Sequence, residues 1–257
     1  MAFPSTRSAS AGTQNTNSTS WTLTYPGAGD ILDGGSTAIE AGDLILINIG
    51  RDGTAGTGSI SGYSSLFDQA SGANRGQTFA KVADGTETGT FSYSPGASEQ
   101  GAWRIAVIKN WWGTIASGVA VSATATGTSA NPDPGSLTPS WGAADTYWRA
   151  VCAFDDGRRS ISAYPSSPDN FNLLQNSDSS GGSGGAGMGS AGLDKNAASV
   201  DPGTFTITAS VGWVAWLIAI RPTAPTYVYR GNQAWSGRYK GSRSDAAIYL
   251  GTRTLHT

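Results

Sequence analysis

A single cysteine, Cys152, rules out an internal disulfide and any cysteine-based zinc site. It sits in the apolar run 150–154, where an inert, buried thiol is expected. Histidine is as scarce: His256, next to the last residue, is the only one. A Ser-His-Asp triad or a histidine metal cluster would have to use it, and a penultimate residue is a poor place for a preorganised base. Charge is sparse too. Only 13% of residues are charged and the net charge is −2, so the chain as a whole is no nucleic-acid binder by charge. The longest apolar run, 211–220, is half a membrane span, and no apolar leader segment stands at the N-terminus. The expectation is a protein made in a cytoplasm, without membrane insertion.

What is abundant is equally telling. There are 36 glycines, nine tryptophans and nine tyrosines, with 38% apolar residues in 257. That is too apolar for disorder, and it fits a β protein rich in turns. Trp21, Leu23 and Tyr25 alternate with Thr22 and Thr24, the period of a half-buried strand. Runs at 44–49, 102–108, 147–154 and 211–220 have strand length and are bounded by Gly, Pro, Asn, Asp and Ser. No stretch carries helical periodicity with caps. The fold class expected is all-β, an antiparallel β-sandwich or jelly roll.

Two stretches resemble each other. Lys81, Ala83 and Gly89-Thr90-Phe91 recur as Lys195, Ala197 and Gly203-Thr204-Phe205, shifted by 114. The run from Trp103 recurs from Trp216, shifted by 113, and Leu46 to Ile49 answers to Ala150 to Ala153, shifted by 104. The sandwich over 21–222 is therefore expected to consist of two similar halves, 21–113 and 134–222. One interlocked sandwich is favoured over two small ones, because five or so strands make a thin core. The segment from Ser177 to Gly192 holds seven glycines and reads as a surface loop.

The ends differ from this body. Residues 1–20 contain nine Ser or Thr and read as an extended arm held by neighbouring subunits. Residues 223–257 carry Tyr-x-Gly three times, beginning at Tyr229, Tyr239 and Tyr249. Such decads cannot each hold a core, so a short β-repeat segment is expected to pack on a neighbour. Residues 1–221 carry 11 basic against 17 acidic side chains, and residues 222–257 carry five against one. A basic tail on an acidic body makes Tyr229, Arg230, Tyr239, Lys240, Arg243 and Tyr249 the candidate interface residues.

The residues Gly42-Asp43-Leu44-Ile45-Leu46, Gly62-Tyr63, Ala80 to Glu87 and Trp103 to Val107 resemble a β-sandwich module common in bacteriophage virion proteins. The decads look like short repeats that end many phage minor tail and fibre proteins. The resemblance covers about residues 36–257; it departs at Tyr63, where the module often has Trp, and in the glycine-rich stretch. It implies a structural role in the virion, assembled in the host bacterial cytoplasm, with other copies of the chain and other virion proteins as partners. A tail- or fibre-associated component comes first, and a capsid decoration protein is the alternative. It carries over no catalytic residue and no cofactor.

Asp155-Asp156, Asp84 with Glu87, and Glu99 are candidate glycosidase carboxylates, and Asp155, Asp156 and Asp194 a candidate calcium set, but strand-end turns account for them more simply. No phosphate loop follows the glycines. A receptor- or carbohydrate-binding role is the alternative of a different class. Trp111-Trp112 is its candidate contact, because adjacent strand residues point oppositely and one of the two can face solvent. A host surface glycan is then a further partner.

Overall fold

In the computed structural model, residues 2–182 and 184–224 are described. The tyrosine decads, and with them Tyr229, Arg230, Tyr239, Lys240, Arg243 and Tyr249, lie outside the described residues. The chain is all-β, with antiparallel sheets packed as sandwiches.

Eight strands come first: β1 (Ser5–Ser18), β2 (Trp21–Thr24), β3 (Leu44–Asp52), β4 (Ser59–Ile60), β5 (Ser64–Ser71), β6 (Asn74–Val82), β7 (Thr90–Ser94) and β8 (Glu99–Lys109). They form a large sheet, β1-β8-β3-β6-β5, and a small one, β2-β7-β4. One helical turn, α1 (Ile115–Gly118), leads to β9 (Val119–Val121), β10 (Ala125–Ser129), β11 (Ala144–Asp155), β12 (Ile161–Ala163), β13 (Leu173–Ser179), β14 (Ala186–Ala197), β15 (Thr206–Ile207) and β16 (Val211–Ile220). These give a second large sheet, β10-β16-β11-β14-β13 with β9 beside β16, and a second small sheet, β12-β15.

The two large sheets repeat one strand order: β1, β8, β3, β6 and β5 answer to β10, β16, β11, β14 and β13. They lie face to face. β3 crosses β11, β8 lies over β14, and β6 lies over β16. Exchanging the halves maps these contacts onto one another, the relationship of an approximate two-fold axis through β3 and β11.

Three hydrophobic layers result. Leu44, Leu46, Ala106 and Ile108 meet Val151, Val214, Trp216 and Ile218 in a central layer between the large sheets. Ile45, Ile47, Ile49, Trp103 and Ile105 turn the other way, onto Trp21, Leu23 and Tyr93 of the first small sheet. Ala150, Cys152, Phe154, Trp213 and Leu217 do the same against Phe205 and Ile207. Each large sheet is thus buried on both faces, which is why β3, β11 and β16 read as unbroken apolar runs. The single-interlocked and two-sandwich expectations both capture part of this: each half has an outer core of its own and the two share a central one.

Three expectations are corrected. The register re-aligns the halves: Trp103 lies opposite Ile49, and Trp213 lies opposite Phe154, so Trp213 is the counterpart of Trp103. Trp216, matched to Trp103 in the sequence, points into the central layer, and its counterpart is Ala106. A slip of three residues is odd, and an odd slip exchanges faces. The match of Leu46 to Ala150 is off by one for the same reason; Leu46 answers to Val151.

The glycine-rich stretch 177–192 is strand, not loop, over most of its length. Buried glycines of β14 make room for side chains of neighbouring strands. A methyl group at Gly187 would lie 2.3 Å from the Phe154 ring, at Gly189 2.5 Å from Ile161, and at Gly192 2.4 Å from the Tyr147 hydroxyl. Finally, residues 5–18 are extended, but they find a partner in their own chain. β1 pairs antiparallel with β8 along most of its length. Arg7 secures its start, donating Nε to Asp43 at 2.6 Å and an Nη to Glu40 at 2.7 Å.

Candidate functional site

The two halves exit side by side. After β8 the chain turns at Asn110, and Trp111 pairs with Pro222 beyond β16. Backbone hydrogen bonds fasten the crossing: Trp112 N–H donates to Arg221 O at 3.0 Å, Arg221 N–H to Gly118 O at 2.8 Å, and Thr223 N–H to Asn110 O at 3.1 Å. This clasp fixes the two adjacent tryptophans differently. Trp111 is buried at the end of the central layer and donates Nε1 to Gly42 O at 2.8 Å. Trp112 is half-buried at the surface.

The Arg221 guanidinium stacks on Trp112, 3.4 Å from the ring centroid. The Trp141 ring centroid stands 6.0 Å from the same guanidinium. Trp141 belongs to the turn 139–142, closed by Gly142 N–H donating to Pro139 O at 3.2 Å, and its indole donates to Thr146 Oγ1 at 3.3 Å. Together with Ala143, Ala144, Pro222, Thr223 and Ala224 these side chains line a surface cleft of about 230 Å³. Two indoles and a cation offer flat apolar area plus a planar set of donors. Of the sequence candidates, Trp112 belongs to this cleft and Trp111 does not. Arg221 and Trp141 were missed. Trp141, in a Pro-Ser-Trp-Gly turn, is half-buried and also packs against the second outer core, so nothing in the sequence marked it as flanking a cleft.

A second cleft of about 240 Å³ opens between β1 and β13, lined by Ser5, Thr6, Leu32, Tyr147, Leu173, Leu174 and Asp194. It offers a lone carboxylate and aliphatic walls, a less specific set.

The carboxylates weighed for catalysis are engaged elsewhere. Asp156 accepts Nε and an Nη of Arg158, both at 2.8 Å, and pairs with Arg159 at 3.0 Å. Asp155 accepts the backbone N–H of Asp156 at 2.8 Å. Glu87 pairs with Lys81 at 2.7 Å, while Asp84 caps its own turn by accepting Thr86 N–H at 2.9 Å. Glu99 lies 3.5 Å from Arg51. Asp194 is opposite Tyr147 near one end of the β11–β14 pair and Asp155 is at the other end, so the calcium set is not assembled. Cys152 is buried, and that burial pushes its thiol pKa up.

No family model, curated protein or solved structure matches this chain.

Proposed function

We propose that this chain is a non-enzymatic structural component of a bacteriophage virion, accessory to the tail or fibre, with capsid decoration as the alternative location. We read its two sandwiches as copies of one module, fused through the segment 110–118. The observation that carries the reading is where the virion-like residues fall. Leu44 to Leu46 and Trp103 to Val107 are core positions of β3 and β8. Lys81 to Glu87 is the end of β6 and a turn locked by its own ion pair. The resemblance therefore lies in scaffold positions, and doubly buried large sheets make a rigid scaffold.

The test is location and copy number. Purified particles, quantified by mass spectrometry and labelled with antibody against this chain, should carry it at low copy on the tail. High copy over the head would move it to decoration, and its absence from purified particles would remove the reading.

A receptor- or carbohydrate-binding role is the second reading, favoured by the Trp112–Arg221–Trp141 cleft. Aromatic faces with a polar group at hand are the usual furniture of small-ligand sites. Binding of an oligosaccharide lost on Trp141→Ala would support it.

A further inference from the structure

The side chain of Arg221 stands apart from the other cations. Arg7, Arg51, Arg75, Lys81, Lys109, Arg158, Arg159 and Lys195 each have a carboxylate within ion-pair distance. Arg149 has none, but it is fully buried and donates to Ser190 Oγ and the Tyr147 hydroxyl; Arg104 has none either, but its Nε is buried within β8 and it lines neither cleft. Arg221 alone lines a surface cleft while its guanidinium has neither ion pair nor hydrogen bond among the described residues. Stacking on Trp112 occupies one face of the guanidinium and limits its freedom. The N–H donors lie in the guanidinium plane, so stacking leaves them available. A held, planar, unsatisfied donor fork matches a carboxylate.

We propose that this cleft binds an acidic saccharide. The sugar carboxylate would sit on the in-plane donors of Arg221, with Trp141 packing against the ring. The proposal rests on the carbohydrate-binding reading and deepens it, naming the class of sugar. A bare anion would need no indole walls, and a neutral sugar could offer the Arg221 donors only single hydroxyl acceptors, without the charge-assisted two-point pairing a carboxylate gives.

The experiment titrates the full chain, following tryptophan fluorescence, with tetragalacturonate, cellotetraose, inorganic phosphate and oligothymidylate. Tetragalacturonate should bind at least roughly tenfold more tightly than cellotetraose, and added salt should weaken only the acidic ligand. Arg221→Ala should abolish that preference. Arg221→Lys, which keeps the charge and loses the fork, should still weaken tetragalacturonate by roughly tenfold. Near-UV circular dichroism of each variant checks that the fold is intact. Equal binding of both sugars, sensitive to Trp141→Ala but not to Arg221, would overturn the acidic assignment and leave the carbohydrate reading standing. Binding of no sugar would overturn both. Phosphate or oligothymidylate bound in place of sugar would overturn both in favour of a phosphate-bearing ligand.

Discussion

Gly12 lies directly beneath the indole of Trp103: a methyl group there would sit 2.4 Å from Cζ2 of the ring. The second half repeats the arrangement, with Gly127 beneath Trp213 at 2.6 Å. In each case the glycine is on the edge strand directly opposite the tryptophan. Trp103 and Trp213 are 4% and 7% exposed, so neither ring has room to retreat. Gly12→Ala and Gly127→Ala should therefore each destabilise the protein, by about 1–3 kcal/mol from overpacking. Urea unfolding measures it. Pairing Gly12→Ala with Trp103→Phe should cost less than the sum of the two single changes. Strict additivity would mean that the glycine is not there for the ring.

The same contact bears on the N-terminal strand. β1 covers Trp103 and completes the first large sheet, so removing residues 2–18 should do more than loosen an assembly. The truncated protein should lose near-UV circular dichroism and soluble yield, because the β8 edge and the Trp103 ring become exposed. Arg7→Met should cost about 3 kcal/mol, since Asp43, itself buried, would keep its charge without a counter-ion, held only by the Glu40 backbone N–H. A fully folded truncation would show that β1 is an accessory after all.

Much of this was legible in the sequence, for identifiable reasons. Strand runs such as Leu44 to Ile49 announce themselves because both faces are buried. Phe91 and Phe205, matched to each other by their Gly-Thr-Phe runs, fall in corresponding outer layers, Phe91 half-buried against one and Phe205 buried within the other. Trp103 and Trp216 were not, because a continuous apolar strand carries no alternation to say which side chain faces which layer. The β14 glycines misled because glycine signals a loop when its neighbours in space are unknown; the Phe154, Ile161 and Tyr147 side chains that require them are distant in sequence. Trp112 could be singled out as one of an adjacent pair. Arg221 could not, as its stacking depends on the clasp between the ends of β8 and β16.

Acid should act through Asp156. The hydrogen-bonded Arg158 guanidinium holds its carboxyl down at about 2, against the opposing effect of burial. An unfolded aspartate titrates near ~3.9. The folded state is therefore favoured above that pH, and the advantage is lost as pH falls through about 2. Arg158 is 58% exposed, so solvent screening holds the contribution to about 1 kcal/mol or less. Asp156 has φ of 70°, which asparagine also accepts. Asp156→Asn should lower the melting temperature slightly at pH 7 and lose less than the parent between pH 4 and pH 2. Parallel melting curves over that interval would place the acid sensitivity elsewhere.

Trp216 reaches across from the second half to the first. Its Nε1 donates to Thr78 Oγ1 at 2.9 Å, and that hydroxyl donates to Asn48 Oδ1 at 2.9 Å. Its ring stacks on Phe67, with centroids 4.4 Å apart. Asn74 adds a second crossing, donating to Gly212 O at 2.8 Å. A half without its mate would expose the whole central layer, together with Asn48 and Thr78, whose hydrogen bonds are made there. The two sandwiches should thus unfold in one cooperative step despite their separate outer cores. Trp216→Ala should cost about 3–5 kcal/mol and Thr78→Val about 1–3 kcal/mol, each shifting one transition rather than splitting it. Fragments 1–113 and 114–257 should be insoluble when made separately and should form a soluble complex when made together. Calorimetry that resolves two transitions in the intact chain, or a first half that folds alone, would mean that the outer cores suffice and the central layer merely joins two finished domains.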